Sequence, residues 1–351
     1  MKSRLILLLF ACSPLLALSQ TQVIPASNIT TDSASYFLQK GLQEKEKGRR
    51  MESLKNFEKA IKYDANNKAI LSELASANMD LRRYNAAIDN YKQLVQLGDA
   101  SADTYRQLLN LSFNFKKYDD VILYADKLKK ADPSAKVNYY LGKVNYEQGN
   151  YGDAIKQLEA AAKEDPANGE IPYMIGHSYA DMMNYKQCIP YLLKATELDT
   201  SKNYWIYELG MIYYAQNDDK NALKYILLAG DKGYRKDMDY LQNLSLAYLN
   251  VGRFDEGIAV LTDILKKRPS DLNILDIVAE AYYNKGKYQQ AIDYWDQILV
   301  YDKTNAAALY MIGMSYQKKG EKAKGTQLCD KAIEMDPSLA SLKQKKDLGG
   351  F

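Results

Sequence analysis

Apolar and polar positions alternate in steps of three and four along most of this chain. In the stretch "GNYGDAIKQLEAAAKEDP", residues 149–166, Ala154, Leu158 and Ala161 follow Tyr151 at offsets of 3, 7 and 10, and Pro166 closes the run at 15. That spacing places the apolar side chains on one stripe of an α-helix. The pattern returns about every 34 residues. Aligned on G-x-Y-x-x-A it occurs nine times, in units 34–67, 68–101, 102–134, 135–168, 169–202, 203–237, 238–271, 272–305 and 306–339. Each unit reads as two helices. Glycine ends the first near Gly149, Gly252, Gly286 and Gly320, and Asp-Pro closes several second helices, at Asp132-Pro133, Asp165-Pro166 and Asp336-Pro337.

Three further positions keep the same period. An aromatic stands in the turn at Tyr84, Tyr118, Tyr151, Tyr185, Phe254 and Tyr288. A small residue recurs in the first helix, at Gly41, Ala75, Gly142, Gly176, Gly210, Ser245, Ala279 and Gly313. Another recurs early in the second, at Ala87, Ala154, Cys188, Ala222, Gly257, Ala291 and Gly325. Small residues let helix axes approach, and the aromatic fills the wedge between layers. Two helices joined by a tight turn cannot bury both faces alone, so the core must be completed by stacking. An all-α solenoid follows.

These positions resemble the tetratricopeptide repeat, whose small, aromatic and terminal proline positions match those above. The resemblance covers residues 34–339 and implies a right-handed superhelical array of about nine helix-turn-helix repeats. In that family the first helices line a concave groove that contacts extended peptides. Carried over by position, the groove holds Arg106, Asn110 and Asn114 in the third unit, then Tyr139, Lys143 and Tyr146 in the fourth. Tyr173 and His177 follow in the fifth, and Tyr204, Tyr207, Met211 and Tyr214 in the sixth. Asp276, Glu280 and Tyr283 come from the eighth unit and Tyr310 from the ninth. Arg106 and Asn110 echo the clamp by which some relatives hold a C-terminal carboxylate. Tyr140 and Glu170 then stand where polar or basic partners should follow, so the clamp is incomplete.

Many of the 30 tyrosines are accounted for by packing: those in the turns, and Tyr179, Tyr213, Tyr248, Tyr282 and Tyr316 on the first helices. The groove set forms a separate, tyrosine-rich strip. Tyrosine offers flat apolar area and a hydroxyl at modest entropic cost, which suits peptide recognition and equally suits stacking on glycan. Packing on neighbouring helices would also account for the strip.

The departures matter too. The first unit has Lys40 where a large apolar residue is expected and Arg50 at the turn aromatic, as a terminal repeat with a polar outer face requires. Asp219 and Lys322 also replace the turn aromatic. The junction "AGDKGYRKDM", residues 229–238, carries one extra residue and reads as a tolerated loop, with a local bend as the alternative. Residues 20–33 read as a flexible tail and 340–351 as a partial capping helix running into a tail.

The first nineteen residues differ from the rest. Lys2 and Arg4 precede the apolar run Leu5–Leu18, and Ala17-Leu18-Ser19 is a small-x-small cleavage pattern. Export to the bacterial periplasm is expected, soluble or peripherally attached, with no stable membrane insertion. A lipoprotein anchored at Cys12 is the alternative. Taking Lys2 and Arg4 from 47 basic residues leaves 45 against 44 acidic ones, which offers no basic excess for nucleic acid. Asp32-Ser33-Ala34 resembles a short O-glycosylation acceptor.

Chemistry is sparse. His177 is the only histidine, too few for a metal site or a His-based triad. Cys188 and Cys329 occupy packing slots four units apart and are not expected to pair. No phosphate-cradling or dinucleotide motif appears. Composition and motifs point to no catalysis, metal or cofactor. The expected function is a protein-interaction scaffold or adaptor of the cell envelope that binds partner segments in the groove; a glycan or cell-wall-fragment binding protein is the alternative.

Overall fold

The computed structural model describes residues 26–341. Residues 1–25, which include the expected leader and Cys12, and residues 342–351, which include most of the expected capping segment, lie outside the described residues. Among the described residues there are eighteen α-helices and one short 3-10 turn, with no strand. The chain divides into two compact units at Ala135/Lys136.

The first unit stacks α1 (Ala26–Glu46), α2 (Arg50–Tyr63), α3 (Lys68–Asp80), α4 (Tyr84–Gln96), α5 (Ala102–Asn114) and α6 (Tyr118–Ala131), each against the next. α1 reaches back to Ala26, so residues 26–33 are helical where a flexible tail was expected. Asp32-Ser33-Ala34 therefore sits in a helix, with Ala34 2% exposed. That is a poor setting for a glycan acceptor.

The second unit begins with α7 (Asn138–Glu147), α8 (Tyr151–Glu164), α9 (Glu170–Asp181), α10 (Tyr185–Leu198), α11 (Asn203–Ala215) and α12 (Asp219–Asp231). It continues with α13 (Met238–Asn250), α14 (Phe254–Lys267), α15 (Leu272–Asn284), α16 (Tyr288–Tyr301), α17 (Ala306–Lys318), α18 (Lys322–Met335) and the 3-10 turn Pro337–Leu339. Sequential helices again pack in order, and the first helices α7 and α9 also touch directly.

The turn aromatics are the opening residues of second helices: Tyr84, Tyr118, Tyr151, Tyr185, Phe254 and Tyr288 start α4, α6, α8, α10, α14 and α16. Before them the chain reverses through one left-handed residue. Gly149 (φ 76°) is one such residue, its N–H donating to Tyr146 O at 3.0 Å while Asn150 N donates to Asn145 O at 2.8 Å. This reciprocal pair closes the orphan carbonyls of α7. Met183, at φ 57°, makes the same turn without glycine.

Second helices end on a recurring device wider than Asp-Pro. The carboxylates of Asp132, Asp199, Asp302 and Asp336 each accept the backbone N–H of the Ser or Thr two residues on, at 3.0 Å. The hydroxyl of the same Ser or Thr, followed by this N–H, holds all four carboxyls below the usual aspartate range.

Aromatic pairs bind the two helices of a hairpin. Tyr179 stacks on Tyr191, Tyr213 on Tyr225 and Tyr282 on Tyr294, with centroids 5.8, 5.4 and 5.6 Å apart. At the crossings the helices approach closely: a Cβ on Gly176 would lie 2.8 Å from Leu192 Cδ2 and 3.3 Å from Cys188 O, so a larger residue there would have to displace Leu192. Cys188 is 0% exposed and Cys329 4%, as their packing slots imply.

Candidate functional site

In the first unit α5 carries Arg106, Asn110 and Asn114. Arg106 is engaged within its own unit, with Asp103 at 2.7 Å and Asp132 at 3.2 Å.

In the second unit the strip is concentrated on α7, α9 and α11, where Tyr139, Tyr173 and Tyr207 recur at the repeat period. Each hydroxyl is tied to the first helix of the following repeat. Tyr139 donates to Glu170 Oε2 at 2.7 Å, Tyr173 donates to Glu208 Oε2 at 2.9 Å, and Tyr207 accepts from Asn243 Nδ2 at 2.7 Å. Lys143 Nζ adds a bond to Glu170 Oε1 at 2.6 Å, and His177 Nε2 lies 3.1 Å from Glu208 Oε2. The hydroxyls of this row thus clasp repeat to repeat. Burial and the Glu208 carboxylate push the Tyr173 hydroxyl's pKa far up, so it remains a donor. Burial alone would raise Glu170, but its bonds from Lys143 and Tyr139 prevail and hold it below the usual range.

Tyr207 is covered by a residue that helical periodicity does not mark. Tyr234, in the 229–238 junction, stacks on it at 4.3 Å and 15°. The junction is therefore part of the packing rather than a merely tolerated loop. Met211 packs beside Tyr207 against the cluster of Leu223, Ile226 and Tyr240, while Tyr214 is half-buried.

Further along, Asp276 accepts the Trp295 indole N–H at 2.7 Å, and Tyr283 stands edge-on to Trp295 at 6.0 Å. Glu280 is exposed one turn after Asp276. Tyr310 is not a groove residue. It is 4% exposed and packs with Cys329 and Ala332, because these small side chains of α18 leave volume that the ring fills.

A cavity of about 380 Å³ lies on the α7–α9–α11 face. Its aromatic lining is Tyr146, Tyr173, Tyr204 and Trp205, and its charged lining includes Lys143, Glu147, Glu170, Asp199 and Lys202. Tyr173 stacks on Trp205 at 4.6 Å and 20°. Tyr204 stands edge-on to both, 5.9 and 5.8 Å away, and is 41% exposed. Trp205, 2% exposed, keeps a buried indole N–H without an acceptor. Tyr146 is half-buried and its hydroxyl pKa is pushed up to about 12, chiefly by burial and then by Asp181. The sequence pattern does not single out Trp205, Lys202 or Asp199: Lys202 and Trp205 stand at the start of a first helix beside the tyrosine row, and Asp199 closes the second helix before it.

Among the described residues no group of His, Cys, Asp and Glu is placed to hold a metal ion. Burial, then Asp181, raises the Cys188 thiol to about 12, so it stays protonated. No helix among the described residues is long and apolar enough to cross a membrane.

A tetratricopeptide-repeat family model matches residues 38–102 and 278–340, and a model of the anaphase-promoting complex, cyclosome, subunit 3, matches residues 114–195. No curated protein matches the chain. Among solved structures, YrrB, "a TPR protein with an unusual peptide-binding site", is similar at 20% identity, over 54% of this chain and 97% of that one, with a TM-score of 0.43. MamA AMB-1 is similar at 21% identity over 48% and 92%, TM-score 0.43. A structure of Naa15/Naa10 bound to HypK-THB is similar at 12% identity over 87% and 64%, TM-score 0.45.

Proposed function

The chain belongs to the tetratricopeptide-repeat family, and from that membership we propose a non-enzymatic interaction scaffold that holds a segment of a partner protein on the α7–α9–α11 face. The observation that carries this reading is the 380 Å³ cavity with Tyr204 at its rim. The other tyrosines of the row spend their hydroxyls on the next repeat, or are covered as Tyr207 is by Tyr234. Tyr204 instead offers open aromatic surface beside a rigid Tyr173–Trp205 stack, the pattern of a preorganised anchor site. The leader pattern of Lys2, Arg4, Leu5–Leu18 and Ala17-Leu18-Ser19 supports a place in the bacterial envelope.

The test is quantitative co-purification from the native cell. Tyr204→Ala removes an exposed ring and should reduce recovery of the bound protein at least about tenfold, the loss of one hot-spot aromatic. Lys156→Ala, on the exposed face of α8, should recover as much as the unaltered chain. Equal recovery from both variants would place binding on another surface.

A further inference from the structure

The charges lining the cavity are uneven in sign, and this bears on which segment it admits. The inference rests on the scaffold reading above. Lys143 is bound to Glu170 at 2.6 Å, and Glu170 also accepts the Tyr139 hydroxyl. A carboxylate of the chain itself therefore already occupies the place an acidic side chain of a partner would seek. With that pair neutral, Lys202 is the one remaining cation of the lining, against Glu147 and Asp199. Asp199 stays anionic because the Ser201 hydroxyl and backbone N–H, at 2.6 and 3.0 Å, stabilise its charge. Glu208, held by Tyr173 and His177, adds negative charge behind the aromatic floor.

An aromatic lining with a surplus of carboxylates favours a cation. Aromatic faces attract one electrostatically, and a guanidinium stacks on them while losing less hydration than an ammonium. We propose that the cavity receives the side chain of an arginine carried by an extended segment of the partner protein, stacked on Tyr204 and countered by Glu147 and Asp199. Glu170, by occupying Lys143, is the specificity residue that turns acidic segments away.

The two tryptophans supply the assay. Trp205 floors the cavity, whereas Trp295 lies in α16 with its N–H bonded to Asp276. The full chain, labelled with nitrogen-15 at the indoles, is titrated with three acetylated pentapeptides, Gly-Ser-X-Ser-Gly, where X is Arg, Glu or Leu. The arginine peptide should move the Trp205 signal and leave Trp295 in place, at about tenfold lower concentration than the other two, as one stacked cation with a counter-charge supplies. Glu147→Gln should weaken that response, and Glu170→Gln, which removes the carboxylate charge bound to Lys143, should bring the glutamate peptide in. A Trp205 response to the leucine or glutamate peptide equal to that of the arginine peptide overturns the proposal and leaves the groove reading standing. Silence of Trp205 toward all three also overturns it. Failure of the groove reading shows separately, as undiminished partner recovery from Tyr204→Ala.

Discussion

Trp295→Ala is expected to destabilise the second unit by about 3–5 kcal/mol, the cost of emptying a fully buried indole site. Trp295 is 0% exposed and sits among Leu275, Val278, Ala279, Ile292 and Ile298, so several helices lose contacts together. The change also leaves Asp276 without the N–H that it accepts at 2.7 Å. Phenylalanine separates the two contributions. Trp295→Phe retains most of the packing and loses a hydrogen bond to a charged group, about 1.5–3 kcal/mol when buried and less where water reaches the carboxylate. Trp205→Phe should cost far less, because its buried N–H has no acceptor to lose. Urea titrations of the four proteins, followed by circular dichroism, check the order: Trp295→Ala lowest, then Trp295→Phe, with Trp205→Phe near the parent.

Gly313→Ala should destabilise by about 1–3 kcal/mol, an overpacking cost, although alanine is ordinarily the better helix former. A Cβ at 313 would lie 2.7 Å from Gly325 O and 2.9 Å from Cys329 N. Both are backbone atoms, so α17 and α18 would have to separate. Gly152→Ala is the opposite case. It lies in the first turn of α8, and its Cβ would meet nothing within 4 Å. That substitution should stabilise by about 0.5–1 kcal/mol through helix propensity and a less free unfolded chain. Thermal melts of the two variants should therefore shift in opposite directions. Equal shifts would mean that the α17–α18 crossing relaxes freely.

The architecture was legible because it rests on short-range, repeated chemistry. A turn aromatic every 34 residues or so marks where second helices begin, and the small residues mark where helices cross; the burial of Cys188 and Cys329 followed from register alone. The site was less legible because its decisive contacts cross from one repeat to the next. Nothing near Tyr139, Tyr173 or Tyr207 in sequence announces Glu170, Glu208 or Asn243, which lie 31 to 36 residues away. Register also misplaced Tyr310. It is the fifth residue of its first helix, as Asp276 and Tyr207 are, yet its ring turns inward over Cys329 and Ala332. Tyr234 was hidden by lying in an irregular junction, where helical periodicity gives no direction to a side chain. Asp-Pro was half of a signal: Asp199 and Asp302 close second helices without proline, through the Ser or Thr two residues on.

The central claim is that the α7–α9–α11 face holds the partner, and it is tested most directly by photo-crosslinking in the native cell. A photoreactive amino acid replaces Tyr204 at the cavity rim in one strain and Lys156 on the exposed face of α8 in another. One protein captured from position 204 and absent from position 156 is the predicted result, and it names the partner. Capture from position 156 alone, or from neither, would contradict the account and leave the aromatic row as packing between repeats.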